Sequence, residues 1–490
     1  MLMLSVIRKG LASNLHFIGV VLFFILHGYA RNYPLIPVGS LLVLLLEVLA
    51  AGFIVYWISR KIFDSPAKAG LFTSFVLTIY LFFVPFQDFF ASYRATVTFA
   101  KLTWFLPACI IVMLILAVWL KKSHRKFYRT SRFITTLLAI YVLVECGIIT
   151  GKILLPSSDN NSNLNKYQLT VCDTCKKISV YLIITDEHVG FEAERQYLNY
   201  YDTSFASFLH NEGFYLVQQP KSNYALTPFS VSSFLNMRYH ENNLRPLLSY
   251  NHFAYVRVHE ALSNNAVCSF FEKEGYRIVN NSFFDLKSAP AAYTSELPSA
   301  IRLITNQTMY YQTTKNLIRV VDAQFHFSWL ARRVEDQTVN SNELMMARTL
   351  AEAKKNNSQP TFTYVHLLMP HPPFAFDSTG RRTYNTPLLK EGYLQYLVYT
   401  DKRLARFIQQ LKQITKGQSA IILMGDHGVR FELKNSWAAA FDPLNAIYLP
   451  QKTYQGWYPG ISHVNQFRVL FNTLFHQSLP MLPDSTTFGN

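Results

Sequence analysis

Acidic residues are nearly missing from the first third of this chain. Between Met1 and Lys152 only Glu47, Asp64, Asp88 and Glu145 stand against fifteen basic residues, so this stretch carries +11 of the net +16. The basic clusters border long apolar runs, an arrangement that reports membrane topology rather than phosphate-backbone binding. No nucleic-acid partner is expected. Cysteine is also scarce, with five in 490 residues. Cys109 and Cys146 fall inside apolar runs and read as inert small side chains. Cys172 and Cys175 form a CxxC, but no second CxxC supplies the rest of a zinc site. The motif precedes a strand rather than opening a helix, which argues against a thioredoxin-like role. A local disulfide in an oxidising compartment is the plainer reading, and Cys268 is left over. No internal repeat is present.

What the first third does contain is five apolar runs, at Leu15–Ala30, Pro34–Ile58, Ala69–Phe86, Leu102–Leu120 and Phe133–Leu154. Each is near the length needed to cross a hydrocarbon core of about 30 Å. No small-residue cleavage site follows the first, so it reads as a retained span. Arg8 and Lys9 precede the first run, Arg60, Lys61 and Lys68 separate the second and third, and Lys121 to Arg132 separate the fourth and fifth. The positive-inside rule therefore places the N-terminus in the cytoplasm and everything after Leu154 outside. The expected protein is integral to a membrane. Glu47 and Glu145, the ionisable residues that stand out within the runs, lack the paired repeats or interrupted helices expected of a transporter.

Residues 156–166, PSSDNNSNLNK, read as a linker. Beyond them, strand-like and helix-like segments alternate. Ile178–Thr185, Gly213–Val217, Tyr276–Val279, Phe362–Met369 and Ala420–Met424 have strand character, and Leu389–Ile414 has helical apolar spacing. This alternation predicts an α/β domain with a largely parallel central sheet. The expected division is a five-helix membrane domain over 1–155, a linker with the CxxC over 156–176 and an extracytoplasmic domain over 177–490. In such sheets ligands sit beyond the carboxyl ends of the strands. There the sequence places Asp186-Glu187-His188, then Pro370-His371-Pro372, then Asp426-His427-Gly428. Acids and histidines at three strand ends suggest a metal cluster of oxygen and imidazole ligands.

On these motifs the chain resembles the alkaline-phosphatase/sulfatase superfamily, and within it the membrane-anchored lipoteichoic acid synthases and lipid A phosphoethanolamine transferases. The resemblance implies an alkaline-phosphatase-like fold, a divalent metal (Mn, Zn or Mg) and a place in a bacterial cytoplasmic (inner) membrane with the catalytic domain extracytoplasmic. Asp186 would take the place of the acidic ligand that ends the first strand, and Asp426 and His427 that of the family's Asp-His pair. Glu187 matches a second acid found in sulfatases. The family's metal-bound nucleophile lies some forty residues after the first ligand, where this chain reads SNYALTPFSVSSFLNM over 222–237. Thr227 is the best match, with Ser230, Ser232 and Ser233 as competitors, and a helix cap is the structural alternative for its hydroxyl. His371, in HLLMPHPPF, resembles the family's substrate-binding histidine and would bind phosphate oxygen or protonate a leaving group. His463 falls where relatives place a late substrate or second-metal group, whereas His366, inside its strand, reads as structural. Formylglycine sulfatases need a C/S-x-P-x-R setting, which this window lacks.

The resemblance thus implies an enzyme, a transferase moving a phosphoethanolamine- or glycerophosphate-type head group through a phospho-threonine. The donor would be a membrane phospholipid and the acceptor an envelope glycan or lipid. The alternatives are an extracytoplasmic phosphodiesterase, phosphatase or sulfatase-like hydrolase, and a catalytically inactive membrane scaffold.

Overall fold

A computed structural model describes residues 14–33, 35–91, 99, 101–154, 169–201, 203–240, 252–286, 289–292, 301–314, 328–355, 359–384, 386–387, 389–430 and 437–487. The chain divides into two compact units. One is Met1–Ser157 together with Pro298–Ser328; the other is Ser158–Leu297 together with Trp329–Asn490. The stretch 298–328, placed in the soluble domain by the expected boundaries, therefore clusters with the helical unit.

The first unit holds α1 (His16–Asn32), α2 (Val38–Ile62), α3 (Pro66–Leu81), α4 (Phe83–Ala91), α5 (Leu102–Lys122) and α6 (Tyr128–Leu154). Helix α1 is the inner one: Phe17, Val21, Phe24 and Ile25 are buried, against α6, α3 and α2. The outer helices instead expose aliphatic side chains, among them Leu46 at 67%, Ile115 at 63% and Leu143 at 70%. Exposed apolar surface of that extent suits lipid and not water. Helices α2, α5 and α6 are long and apolar enough to cross a membrane. A fourth span results if α3 and α4, bent by 65°, count as one. The bend coincides with Pro85 in α4, which has no N–H to give to the Leu81 carbonyl. Helix α1, with 17 residues and a length of about 26 Å, falls short of a full span. Five spans are thus expected, and three or four are found among the described residues.

Two histidines of this unit have polar partners, which low dielectric favours. His27 Nδ1 lies 2.8 Å from Glu145 Oε1 and His16 Nδ1 lies 2.6 Å from Ser74 Oγ. The excursion docks here too. The Val84 N–H donates to the Gln307 carbonyl at 3.0 Å, and Ile304 packs so close to Gly28 that a Cβ there would lie 2.9 Å from it.

The second unit is built on one six-stranded sheet. Its strands are β1 (Val180–Thr185), β2 (Tyr215–Leu216), β3 (Arg277–Asn281), β4 (Thr361–Leu367), β5 (Ala420–Gly425) and β6 (Asn445–Tyr448). Their order is β2-β6-β5-β1-β4-β3. The run β5-β1-β4-β3 is parallel, while β6 and β2 join antiparallel at one edge. Alternate residues of β1 enter different cores, which is why the strand is an unbroken apolar run. Val180, Leu182 and Ile184 pack with Phe234 of α9 (Thr227–Leu235), Phe270 of α11 (Ala266–Lys273) and Phe471 of α14 (His463–Phe475). Tyr181 and Ile183 pack with Leu198 of α7 (Phe191–Leu198), Leu209 of α8 (Thr203–Asn211) and Leu404 of α13 (Lys390–Ile414). Two further helices, α10 (His252–Ser263) and α12 (Ser328–Lys354), complete the unit. Helix layers on both faces of a mostly parallel sheet match the expected α/β class. Cys172 and Cys175 are disulfide-bonded, and Cys268 is free and buried.

Candidate metal centre

Strand register alone brings the acidic groups together. Thr185 pairs with Gly425 across β1 and β5, so Asp186 and Asp426, each one residue further, emerge side by side at the carboxyl edge. On the other flank Ile184 pairs with His366 of β4. One donor atom each from Asp186, His366 and Asp426 lies within 4.8 Å of the others, with all three residues buried. His427 joins them, its Nε2 3.3 Å from Asp426 Oδ2 and 3.9 Å from Asp186 Oδ1. Its Nδ1 faces the Gly428 carbonyl at 2.8 Å. A proton donated there turns the Nε2 lone pair toward the carboxylates, the tautomer a metal ligand requires.

Helix α9 delivers the hydroxyl. Its N-cap is Leu226, with no side-chain cap, so Thr227 is not spent on capping. Thr227 Oγ1 instead lies 3.2 Å from His427 Nε2. The competing serines are engaged or hidden: Ser230 donates to the Asp426 carbonyl, Ser233 to the Arg238 carbonyl, and Ser232 is fully buried. That leaves the Thr227 hydroxyl facing His427, while Ser230 on the same helix face is spent on the Asp426 carbonyl.

The donor set fits a divalent cation. Asp186 Oδ1, Asp426 Oδ2 and His366 Nε2 are buried without a hydrogen-bond partner. Orphaned groups of this kind are costly unless something charged occupies the space between them. Electrostatics agree. Burial, then the neighbouring Asp426 carboxylate, pushes the Asp186 carboxyl far above the usual range. Burial lowers His366 to about 4 and His427 to about 3, which leaves both neutral and able to ligate.

Around this cluster stand groups of mixed charge. Arg430 Nε donates to Glu187 Oε1 at 3.0 Å, and the Glu187 N–H donates to Asp426 Oδ1 at 3.0 Å. Glu187 is thus tied up with Arg430. Burial works against a charge on His371, but the carboxylates of Asp186 and Glu187 outweigh it and raise its pKa. His371 Nδ1 faces the Pro372 carbonyl at 2.7 Å, which leaves Nε2 for another partner. His463 opens α14 and is fully buried beside Phe234, with neither ring nitrogen in a hydrogen bond. The Asp426 carbonyl lies near enough to favour its protonation slightly, yet burial and then His427 hold it down to about 3.

The structure therefore gathers Asp186, Thr227, Asp426 and His427, sets Glu187 and His371 close by, and encloses His463. The sequence reading missed His366 and Arg430. His366 reads as structural in the sequence because it sits within a strand, and only the β1–β4 register places its ring beside Asp186. Its one sequence signal was position, at the carboxyl end of a strand that ends in HLLMPH.

Gly428 has a steric reason to follow the Asp-His pair. A Cβ there would lie 1.9 Å from the Ala439 carbonyl oxygen, a backbone atom that cannot yield. Gly428→Ala is expected to destabilise the second unit by about 3 kcal/mol or more. Thermal unfolding of the full chain would read this as an earlier transition, and an unchanged transition would contradict it.

Solved structures resemble this one at low identity. The integral membrane lipooligosaccharide phosphoethanolamine transferase A (EptA) of Neisseria meningitidis shares 13% identity, with 94% of this chain and 95% of that chain covered and a TM-score of 0.38. The C-terminal periplasmic domain of EcEptC from Escherichia coli shares 12%, covering 64% of this chain and 87% of that one, at 0.37. The phosphonate monoester hydrolase of Agrobacterium radiobacter shares 13%, covering 61% and 74%, at 0.39. No curated protein matches the chain. A family model described as Sulfatase matches residues 179–469, more than half of the chain, and the chain belongs to the sulfatase family.

Proposed function

We propose that this protein transfers a phospho-head group from a membrane phospholipid to an envelope glycan or lipid, through a phospho-threonine at Thr227. The observation that carries the reading is the Thr227 hydroxyl, 3.2 Å from His427 Nε2, unspent as a cap and beside orphaned carboxylate oxygens. Asp186, Asp426, His427 and Thr227 Oγ1 would hold the ion, with His366 Nε2 facing the same space. A bound divalent ion supplies charge neutralisation at the phosphoryl oxygens and lowers the pKa of the hydroxyl.

Thr227 Oγ, as the alkoxide, attacks phosphorus, and the bond from phosphorus to the diacylglycerol oxygen breaks. Thr227 releases its proton to solvent on becoming the alkoxide, and His371 Nε2 delivers a separate proton to the leaving diacylglycerol oxygen. An acceptor hydroxyl then attacks the phospho-threonine and gives its proton to His371, the bond from phosphorus to Thr227 Oγ1 breaks, and the Thr227 alkoxide is regenerated. Arg430, held by Glu187, is placed to bind non-bridging phosphate oxygens. His463, buried beside Phe234, takes no step on phosphorus in this reading. In this reading α1 is a fifth, short membrane segment, the N-terminus is cytoplasmic and 177–490, apart from the 298–328 excursion, form the extracytoplasmic catalytic domain. Joining that domain to apolar helices raises the effective concentration of a lipid donor.

His371→Ala is expected to lower turnover of phosphatidylethanolamine about 10²–10³-fold. The loss should be far smaller with a p-nitrophenyl phosphodiester, whose leaving group needs no proton. Equal losses on both substrates would remove His371 as the acid.

The function is tested with the purified full chain, a divalent metal and vesicles of phosphatidylethanolamine or phosphatidylglycerol. Diacylglycerol release, with a phosphorylated peptide containing Thr227 found by mass spectrometry, is the expected result. Bound metal without lipid conversion would shift the reading to a hydrolase of soluble phosphoesters, and a chain that binds no divalent metal would sink it.

A further inference from the structure

Ahead of the amino end of β1, whose carboxyl end carries Asp186, a second set of ligating atoms converges. Cys172, Cys175 and His476 each offer one donor atom, and the three atoms lie within 4.8 Å of one another. Cys175 Sγ is 3.7 Å from His476 Nδ1, across a sequence separation of 301 residues. In a tetrahedral site with zinc–sulfur near 2.3 Å and zinc–nitrogen near 2.05 Å, the sulfur–nitrogen edge is about 3.6 Å. The histidine is thus already at ligand spacing from one sulfur.

We infer that Cys172, Cys175 and His476 form a redox-gated metal site, closed as the disulfide and open, when reduced, to a borderline-soft ion such as zinc. Two thiolates and an imidazole suit that ion, and the fourth tetrahedral position is left to water. A dithiol reductant supplies the two electrons and two protons that convert the disulfide to two thiols. The reductant leaves as its own disulfide. Metal uptake then releases the two thiol protons.

The surrounding contacts hold both halves of the site without the sulfur–sulfur bond. The Cys172 N–H donates to Glu274 Oε1 at 2.9 Å, and Lys177 Nζ donates to the Glu274 carbonyl at 2.7 Å. Next to His476, Gln477 exchanges two hydrogen bonds with the Thr170 backbone, at 3.1 and 3.0 Å. The two cysteines are only three residues apart, so their disulfide restrains little chain and its opening leaves the loop ends anchored. Both cysteines are half-buried and His476 is exposed, so ion and reductant have access. This second site is independent of the transfer chemistry proposed above.

The test counts zinc by mass spectrometry on the full chain, desalted after zinc exposure, in oxidised and phosphine-reduced forms. Zinc at the Asp186 cluster is counted in both forms and cancels in the difference. Reduced protein is expected to retain one more zinc per chain than oxidised protein. The increment should vanish in Cys172→Ser/Cys175→Ser, and its affinity should fall at least tenfold in His476→Ala. Circular dichroism establishes that each variant is folded. Equal zinc in the two forms would overturn the inference, as would a His476→Ala protein that binds the extra ion with unchanged affinity.

Discussion

Thr227→Ala is expected to abolish turnover, with a loss of about 10⁴-fold or more, while the protein stays folded and keeps its metal. The magnitude follows from removing a nucleophile for which nothing nearby substitutes. Ser230 and Ser233 are committed to backbone carbonyls, and Ser232 is fully buried. Such a factor corresponds to about 5.5 kcal/mol of transition-state stabilisation. Folding should tolerate the change because Leu226, not Thr227, is the helix cap. Metal should remain because two carboxylates and two imidazoles still face the site. Diacylglycerol release from phosphatidylethanolamine vesicles, read beside metal content, checks both halves. Activity within tenfold of wild type would show that another group attacks phosphorus. Thr227→Ser offers a further contrast, since a serine hydroxyl in the same place should restore part of the rate.

The second large effect concerns the carboxylates. Asp426→Asn is expected to abolish tight divalent-metal binding, and with it activity, yet to make the metal-free protein more stable than metal-free wild type. Both signs come from one geometry. Asp186 and Asp426 emerge from paired strand positions, with Asp186 Oδ1 and Asp426 Oδ2 buried and unpartnered. Without a cation they repel each other in a low-dielectric pocket. A cation reverses that penalty, and an ion present at 100 times its Kd stabilises the folded form by about 2.7 kcal/mol. Thermal unfolding with and without added metal should therefore show a rise for wild type and none for Asp426→Asn, with the order of the metal-free proteins inverted. A variant that binds metal as tightly as wild type would remove Asp426 from the ligand set.

Several features were legible because they are local. Ile178–Thr185, Phe362–Met369 and Ala420–Met424 are short apolar runs, and the strands Val180–Thr185, Thr361–Leu367 and Ala420–Gly425 lie within a residue or two of them. Helix Lys390–Ile414 followed from its apolar spacing in the same way. Other features left little trace. Strand Asn445–Tyr448 has four residues and no alternation, and its place comes from pairing with β5. The run Leu15–Ala30 reads as a span like the others, yet its helix has only 17 residues and is the one wrapped by its neighbours. Nothing in the composition of 298–328 announces that it packs with the helical unit.

By itself the sequence determined which segments are apolar, where strands end, and that Asp186, His371, Asp426 and His427 lie just beyond those ends. Hydrophobic period and residue type are properties of a short window, so a window suffices to read them. Only the tertiary structure decided which groups meet. Parallel register put Asp186 between Asp426 and His366, the docking of α9 set Thr227 toward His427 and Ser230 toward the Asp426 carbonyl, and packing enclosed His463. Each of those outcomes depends on how distant segments slide and rotate against one another. A shift of one residue in a strand or a quarter-turn in a helix would have produced a different site from the same motifs.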